Sequence, residues 1–209
     1  MLTLHPQDVR DTLPGLDAPA HVRLLTALMD RLACGVLAVD ADGLLLHANS
    51  AARRELAQAG PLHLDGRQVR ACTVMQDIWS TALHDAAVRQ RTRLMALQDG
   101  AERLTVALLP VHVDGSDRPA AVAMLGRRNV CSPLGLEMLS ASHGLTYAEQ
   151  RVLRALVDNS TVREIAATHG VSVTTVRTQI QAVRDKLGAR SIDALLLQAA
   201  ALPPVTARC

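Results

Sequence analysis

The chain has 209 residues, with 22 basic and 20 acidic side chains and a formal net charge of +2. This length allows one large domain or two small ones. Hydrophobic residues make up 49% and aromatic residues only 1%, so the core must be aliphatic. The small net charge does not exclude a nucleic-acid partner, because a local basic patch can bind one while the total stays low.

Several classes of protein are disfavoured by what the sequence lacks. The four cysteines form no CxxC pair, so no metal site is predicted. A phosphate-binding loop and a GxSxG motif are both missing, so we do not expect an enzyme. The first residues carry no basic segment followed by an apolar core, and the longest apolar runs are too short to span a bilayer. We therefore expect a cytoplasmic protein without a membrane partner.

The first elements in chain order are an arm and a helix. Three prolines and a glycine mark residues 1–20 as an irregular arm. Apolar residues then recur at helical spacing from His21 to Cys34. The pattern therefore predicts a leading helix with one apolar face.

After Cys34 the spacing of apolar residues changes from that of a helix to that of strands. Two short apolar runs between Gly35 and Asn49 flank an Asp-Gly pair, which favours a tight hairpin. Asn49 or Ser50 can cap a short helix. A longer helix is predicted over 74–91, with its buried side given by Ile78, Ala82 and Leu83. Three strands are then predicted over 92–98, 102–113 and 119–127, separated by turn residues at 98–100 and 113–117.

This order of elements predicts an α+β domain with an antiparallel sheet and helices to one side. It resembles the PAS sensor fold over about residues 30–130. The resemblance is carried by the last three strands and by Gly35, Asp40, Asp42, Gly43 and Asn49. It implies a domain over 21–130 that senses a small molecule or mediates dimerisation. We expect the leading helix to pack between two protomers, because its apolar face precedes the sensor core.

No cofactor is predicted for the PAS-like domain, and the identity of any small-molecule ligand stays open. Some PAS domains bind haem, so His47, His84 and His112 are alternative ligands for such a group. A scattered surface or core histidine is the competing interpretation of each. Cys72 and Cys131 are candidates for a redox sensor.

Residues 131–142 are predicted to be a linker, because Pro133, Gly135 and several serines interrupt the strand pattern. Two capping boxes follow, Thr146 with Glu149 and Thr161 with Glu164. They predict two helices, the first ending near Asn159 and the second spanning 162–169.

A third and a fourth helix complete the C-terminal part. Gly170 makes the turn before Ser172, which caps the third helix; Gly188 ends it, and Ser191 caps the fourth. On a helical wheel the third helix has a narrow apolar stripe, formed by Val173, Val176, Ile180, Val183 and Leu187. Its opposite face carries Thr174, Arg177, Thr178, Gln181 and Asp185. Hydroxyl, guanidinium and amide groups of this kind bond both phosphates and base edges.

The spacing is that of a helix-turn-helix. The sequence from Leu145 to about Leu196 closely resembles the LuxR-type (GerE-like) DNA-binding domain without a gap. The shared markers are Leu145-Thr146, Glu149, Val152-Leu153, Glu164-Ile165-Ala166, Val171-Ser172, Thr175-Val176-Arg177, Lys186-Leu187-Gly188 and Ser191. The resemblance implies an all-α, four-helix domain over 143–209 and a homodimeric transcription regulator.

The resemblance also implies roles for particular residues. The third helix, 172–187, would enter the major groove of double-stranded DNA. Base contacts are expected from Thr174, Arg177, Thr178 and Gln181. Contacts to the DNA backbone are expected from Arg163, Thr175, Arg184 and Lys186. The fourth helix would supply a dimer contact on DNA through Ser191, Leu195 and Gln198.

Other functions are weighed against this one. RNA polymerase is a further candidate partner of such a regulator. The alternative from another class is an adaptor that dimerises through the PAS-like domain, contacts a protein through its C-terminal domain and does not bind DNA directly. Salt-dependent DNA binding that falls when Arg177 is removed distinguishes the two. The operator sequence stays open, because Val162, Asn159 and Gln179 replace residues that are usual in the family.

Overall fold

The computed structural model describes residues 18–112, 118–126 and 131–206. Residues 1–17 of the predicted arm, the predicted turn at 113–117 and Arg127 at the end of the last predicted strand lie outside the described residues. The N-terminal elements are α1 (Ala18–Met29), β1 (Gly35–Asp40), β2 (Leu45–Ala48), α2 (Ser50–Leu56), β3 (Leu62–Asp65), β4 (Gln68–Ala71), a 3₁₀ turn (Thr73–Met75), α3 (Gln76–Ala87), β5 (Arg93–Asp99), β6 (Glu102–Val111) and β7 (Ala120–Leu125). The C-terminal elements are α4 (Pro133–Ser142), α5 (Tyr147–Val157), α6 (Val162–His169), α7 (Val173–Leu187) and α8 (Ile192–Ala200).

Five antiparallel strands form the main sheet of the N-terminal domain, in the order β2-β1-β7-β6-β5. The first strand pairs with the last along its whole length, from Gly35 opposite Leu125 to Asp40 opposite Ala120. Along the chain, helices α2 and α3 lie between β2 and β5. The α+β, PAS-like architecture predicted from the sequence is therefore confirmed. A separate hairpin, β3 with β4, was not predicted.

The hairpin between β1 and β2 is closed by the side chain of Asp40. Its Oδ1 accepts hydrogen bonds from the backbone amides of Asp42, at 3.1 Å, and Leu44, at 2.9 Å. Gly43 has φ +84°, a value that L side chains adopt with strain. The Asp42-Gly43 pair thus predicted this turn correctly, although the side chain that closes it belongs to Asp40, two residues before the pair.

Helix α3 packs on the sheet through a different side chain from the one expected. Trp79 is 1% exposed and donates its indole N–H to the carbonyl of Val69 at 3.1 Å. Leu83 is also buried, as predicted, but Ile78 is 51% exposed. The prediction for Ile78 was wrong because the helix is shorter than the predicted 74–91 and its inward face is set by Trp79, one residue later.

A buried acid ties α3 to the edge strand β5. Asp85 accepts hydrogen bonds from Arg89, at 2.9 Å, and from the guanidinium of Arg93 on β5. The Arg93 hydrogen bond is the main cause that lowers the pKa of the Asp85 carboxyl. The carboxylate is therefore charged and paired at neutral pH.

The C-terminal domain is all-α, and it begins earlier than predicted. The expected linker at 131–142 contains α4, with Ser132 as its N-cap and Pro133 in its first turn. Leu136 is 2% exposed and belongs to the same core cluster as Leu153 and Leu195. The linker assignment was therefore wrong here, because a proline in the first turn favours a helix rather than breaking it.

Helix α1 starts at Ala18, within the predicted arm, and ends at Met29 rather than Cys34. Its apolar side chains are largely uncovered: Val22, Leu24, Leu25 and Leu28 are between 42% and 63% exposed. The helix therefore presents an apolar face that nothing in this chain covers among the described residues.

Candidate nucleic-acid interface

Helix α7 has one buried side and one exposed side. Val176, Ile180, Val183 and Leu187 are each 8% exposed or less and fill two small clusters against α5, α6 and α8. The opposite side consists of exposed Thr174, Arg177, Thr178 and Gln181, which we call the polar face of α7. The separation predicted from the helical wheel is thus confirmed, and the polar face is open to a partner.

The corner between α6 and α7 is built from local signals. Gly170 takes the left-handed conformation, with φ 66° and ψ 34°, and the amide of Val171 bonds the carbonyl of Ala166 at 3.1 Å. Ser172 then caps α7 by accepting the Thr175 amide at 3.0 Å. The Thr175 hydroxyl lies 2.8 Å from the Ser172 hydroxyl. Thr175 is therefore part of the cap and also exposed at the helix N-terminus.

The entry to α6 is fixed by its capping box, next to exposed Arg163. The amide of Thr161 donates to Oε2 of Glu164 at 2.7 Å, and the Glu164 amide donates back to Thr161 Oγ1 at 3.3 Å. The first of these hydrogen bonds is the main cause that lowers the pKa of Glu164. Arg163 lies in the same first turn, and its side chain is free of any pairing that the structure describes.

A chain of hydrogen bonds runs along the C-terminal half of the polar face. Gln181 donates through Nε2 to Asp185 Oδ1 at 2.7 Å, and its Oε1 accepts from Arg184 at 3.1 Å. The other end of the Arg184 guanidinium bonds the carbonyl of Arg190. Arg184 is thereby drawn toward the turn after α7, while Gln181 stays exposed with its amide oriented by its neighbours.

Lys186 has a structural role that the sequence pattern did not indicate. Its ammonium donates to Glu149 Oε2 at 2.7 Å and to the carbonyl of Gly144 at 3.0 Å. The ammonium therefore lies against the start of α5, and the expected contact between Lys186 and the DNA backbone stays a prediction.

On α8, one of the three expected dimer residues is misplaced. Ser191 and Gln198 are exposed, but Leu195 is 0% exposed and packs inside the domain. The assignment of Leu195 to a dimer surface was therefore wrong. Leu197, at 71% exposed, is the leucine on the outer side of this helix. Residues 195–197 are all leucine, so the residue types do not show which of them is buried. Only the helical period distinguishes the inner side of α8 from the outer side.

The candidate haem ligands of the N-terminal domain lie on its surface. His47, His84 and His112 are all exposed on the surface, so none is enclosed as an axial ligand would be. Within residues 18–112, 118–126 and 131–206, no three His, Cys, Asp or Glu side chains cluster as metal ligands would. Over the same ranges, every helix is too short or too polar to cross a membrane.

The family comparison agrees with this geometry. Residues 143–199 match the model of the luxR family of bacterial regulatory proteins. The C-terminal domain is therefore a helix-turn-helix domain of the kind found in bacterial regulatory proteins. More narrowly, it is a LuxR-type domain, here joined to a PAS-like N-terminal domain. A search of the curated proteins gives no match.

Among solved structures, the chain is similar over most of its length to VqmA proteins. A phage VqmA in complex with DPO is 17% identical, with 89% of this chain and 93% of that chain covered and a TM-score of 0.37. The Vibrio cholerae VqmA–ligand–DNA complex is 15% identical, with 91% and 92% covered and a TM-score of 0.39. The PAS domain of Bordetella pertussis BvgS is 14% identical, with 60% and 96% covered and a TM-score of 0.33.

Proposed function

We propose that the protein is a sequence-specific transcription regulator that places α7 in the major groove of DNA as a homodimer. The polar face of α7 is the observation that carries this proposal. It is exposed along its length, while the opposite side of the same helix is buried. An α-helix fits the major groove, where base edges present distinct patterns of donors and acceptors.

The side chains on this face suit base readout. Arg177 can form a bidentate pair with a guanine edge, and Gln181 can pair with an adenine edge after releasing its hydrogen bond to Asp185. Thr174 and Thr178 offer hydroxyl and methyl groups to either edge. Arg163 and Thr175, at the N-terminal ends of α6 and α7, are placed to contact phosphates, which also favour helix N-termini.

Two exposed apolar surfaces of the N-terminal domain support a homodimer. One is the apolar face of α1. The other is the side of the sheet away from α3, where Leu94 is 76% and Met124 42% exposed. A helix with an apolar face and an uncovered apolar sheet are complementary, and burying both stabilises association. We place α1 between the two protomers, against the partner's sheet.

The test is selection of binding sites from fragmented genomic DNA at near-physiological salt, with Arg177→Ala and Gln181→Ala run in parallel. We expect a site with two-fold symmetry, lost or altered in both variants. Arg154→Ala serves as the matched control, because Arg154 is an exposed arginine on α5 that faces Glu137 at 3.7 Å. If the full chain enriches no site and shows no salt-dependent binding, the adaptor hypothesis replaces this one.

A further inference from the structure

The last described residues of the chain form a strand-like contact with the N-terminal domain. The carbonyl of Pro204 accepts a hydrogen bond from the Ala33 amide at 2.7 Å, and the amide of Thr206 donates to the carbonyl of Arg31 at 2.9 Å. Leu32 and Val205 face each other between these two bonds as an antiparallel bridge. We call residues 203–206 the tail and residues 30–34 the junction.

The tail is anchored firmly in the C-terminal domain. It leaves α8 after Ala200, and Leu202 packs with the core of that domain next to Gly135 of α4. Pro203 and Pro204 follow, and each has a fixed φ and no amide N–H. A segment of this kind transmits a displacement from one end to the other rather than absorbing it.

The junction is equally well anchored in the N-terminal domain, through Asn49. This side chain is 0% exposed and donates from Nδ2 to the carbonyls of Met29, at 3.0 Å, and Cys34, at 2.9 Å. Its Oδ1 accepts from the amides of Val36 and Ala52. One amide therefore joins the end of α1, the start of β1 and the start of α2, on both sides of the residues that the tail contacts.

Outside this contact the two domains are loosely joined. Within the described part of the chain, the helices and strands in extended contact with one another all belong to the same domain. A cavity of about 230 Å³ separates the domains beside the tail, with Arg54, Leu125, Cys131 and Thr206 among its lining residues. The backbone bonds of the tail, together with the Thr206 hydroxyl 3.4 Å from the carbonyl of Asp30, thus form an ordered connection between the two domains.

We infer that the tail is a conformational latch, which fixes the DNA-binding domain to the point where α1 enters the sheet. The polar face of α7 is exposed while the latch is closed, so the latch does not block DNA. It sets where α7 lies relative to α1. A shift of α1 against β1 breaks the two backbone bonds and frees the domain, which links the state of the N-terminal domain to the spacing of the two α7 helices. The link to DNA rests on the proposed function, whereas the latch itself does not.

The latch is tested on the full chain with two variants of one residue. Thr206→Pro removes the amide that bonds Arg31, whereas Thr206→Ser keeps both that amide and the hydroxyl 3.4 Å from the carbonyl of Asp30 and serves as the control. A chain ending at Leu202 removes the whole contact, and one ending at Thr206 is its control. Circular dichroism confirms that the helical domain stays folded in each.

The readout is amide hydrogen exchange at Ala33 together with small-angle X-ray scattering. We expect the chain ending at Leu202 to exchange Ala33 at least about tenfold faster and to show a larger maximum dimension. Thr206→Pro should shift both in the same direction, and the two controls should match the full chain. Unchanged exchange and unchanged scattering in both latch variants would overturn the inference.

DNA affinity is measured in parallel on probes with one and with two half-sites. Loss of the latch should weaken binding to the paired sites by about tenfold and leave single-site binding unchanged, because only the pairing of two domains is affected. If the latch variants and the full chain bind the paired sites with equal affinity although their scattering differs, the proposed link between the latch and the spacing of the two α7 helices is overturned. A full chain that binds neither probe would contradict the proposed function, while exchange and scattering still decide the latch.

Discussion

The ammonium of Lys186, near the end of α7, lies 2.7 Å from Oε2 of Glu149, in the first turn of α5. The same carboxylate accepts the Thr146 amide at 2.7 Å and so completes the capping box. One glutamate therefore both starts α5 and holds the C-terminal end of the helix with the polar face. This pair therefore ties the C-terminal end of α7 to the start of α5.

Removing the lysine should destabilise the C-terminal domain without changing the four residues of the polar face of α7. We expect Lys186→Met to lower the free energy of unfolding by about 1–2 kcal/mol, because Glu149 is 10% exposed and keeps only its amide partner. Thermal unfolding followed by circular dichroism measures this. Arg154→Met, which breaks a pair that is half exposed on both sides, should cost less than about 0.5 kcal/mol; equal losses in the two variants would contradict the prediction.

The same pair predicts a dependence of stability on pH. Hydrogen bonding to Lys186, followed by that to Thr146, lowers the pKa of Glu149 below its ordinary value of 4.5. The folded state therefore binds this proton more weakly than the unfolded state, so the stabilisation is complete above pH 4.5 and is lost as the pH falls through the lowered pKa. Glu149→Gln should flatten this part of the stability curve. If Glu149→Gln loses stability at low pH as the full chain does, other carboxyl groups cause that loss.

Asn49 should be the most sensitive polar position of the N-terminal domain. Asn49→Ala removes four hydrogen bonds at a fully buried site, and only the carbonyl of Met29 is seen to keep a second donor, the Leu32 amide. We expect a loss of about 2–4 kcal/mol in urea unfolding, followed by the fluorescence of buried Trp79. The exposed amide of Gln58 provides the control: Gln58→Ala should change stability by less than about 0.5 kcal/mol.

A charge on the apolar face of α1 should weaken the homodimer. Leu25→Glu places a carboxylate where a 59% exposed leucine now lies, and desolvating it at an interface is costly. We expect at least about a tenfold increase in the dimer dissociation constant in sedimentation equilibrium. Arg23→Glu introduces the same group on the other side of the helix and should leave association unchanged. If Leu25→Glu leaves the dimer dissociation constant unchanged, α1 does not lie in the dimer interface.

Neutralising Asp185 should strengthen DNA binding. Its carboxylate lies one turn beyond Gln181 on the exposed side of α7 and holds the Gln181 amide at 2.7 Å. Asp185→Asn removes repulsion from phosphates and frees Gln181, so affinity should rise by about three- to tenfold at low salt and less at high salt. Asp65→Asn makes the same charge change in β3, far along the chain from α7, and should have no effect. Weaker binding by Asp185→Asn would mean that the carboxylate itself contacts a base.

Sequence signals predicted the structure correctly where the interactions join groups close together in the chain. The capping boxes at Thr146 and Thr161, the left-handed residues Asn159 and Gly170, and the Asp-Gly hairpin each depend on groups within a few residues of one another. The periodic segments predicted the five strands of the main sheet, whereas the order of these strands in the sheet, with β1 beside β7, was not predicted. The predictions that failed, for Ile78, Leu195 and residues 131–142, concern which face of a short helix is buried, and whether a proline begins a helix or interrupts one.

The sequence by itself determined most of the elements, their caps and the polar face of α7, because periodicity and capping act over one or two turns. Only the tertiary structure decided what Lys186, Asn49 and the tail contact. These contacts join residues 37, 20 and more than 170 positions apart. No local spacing encodes such pairs, because they form only after each domain has packed and brought the two segments together.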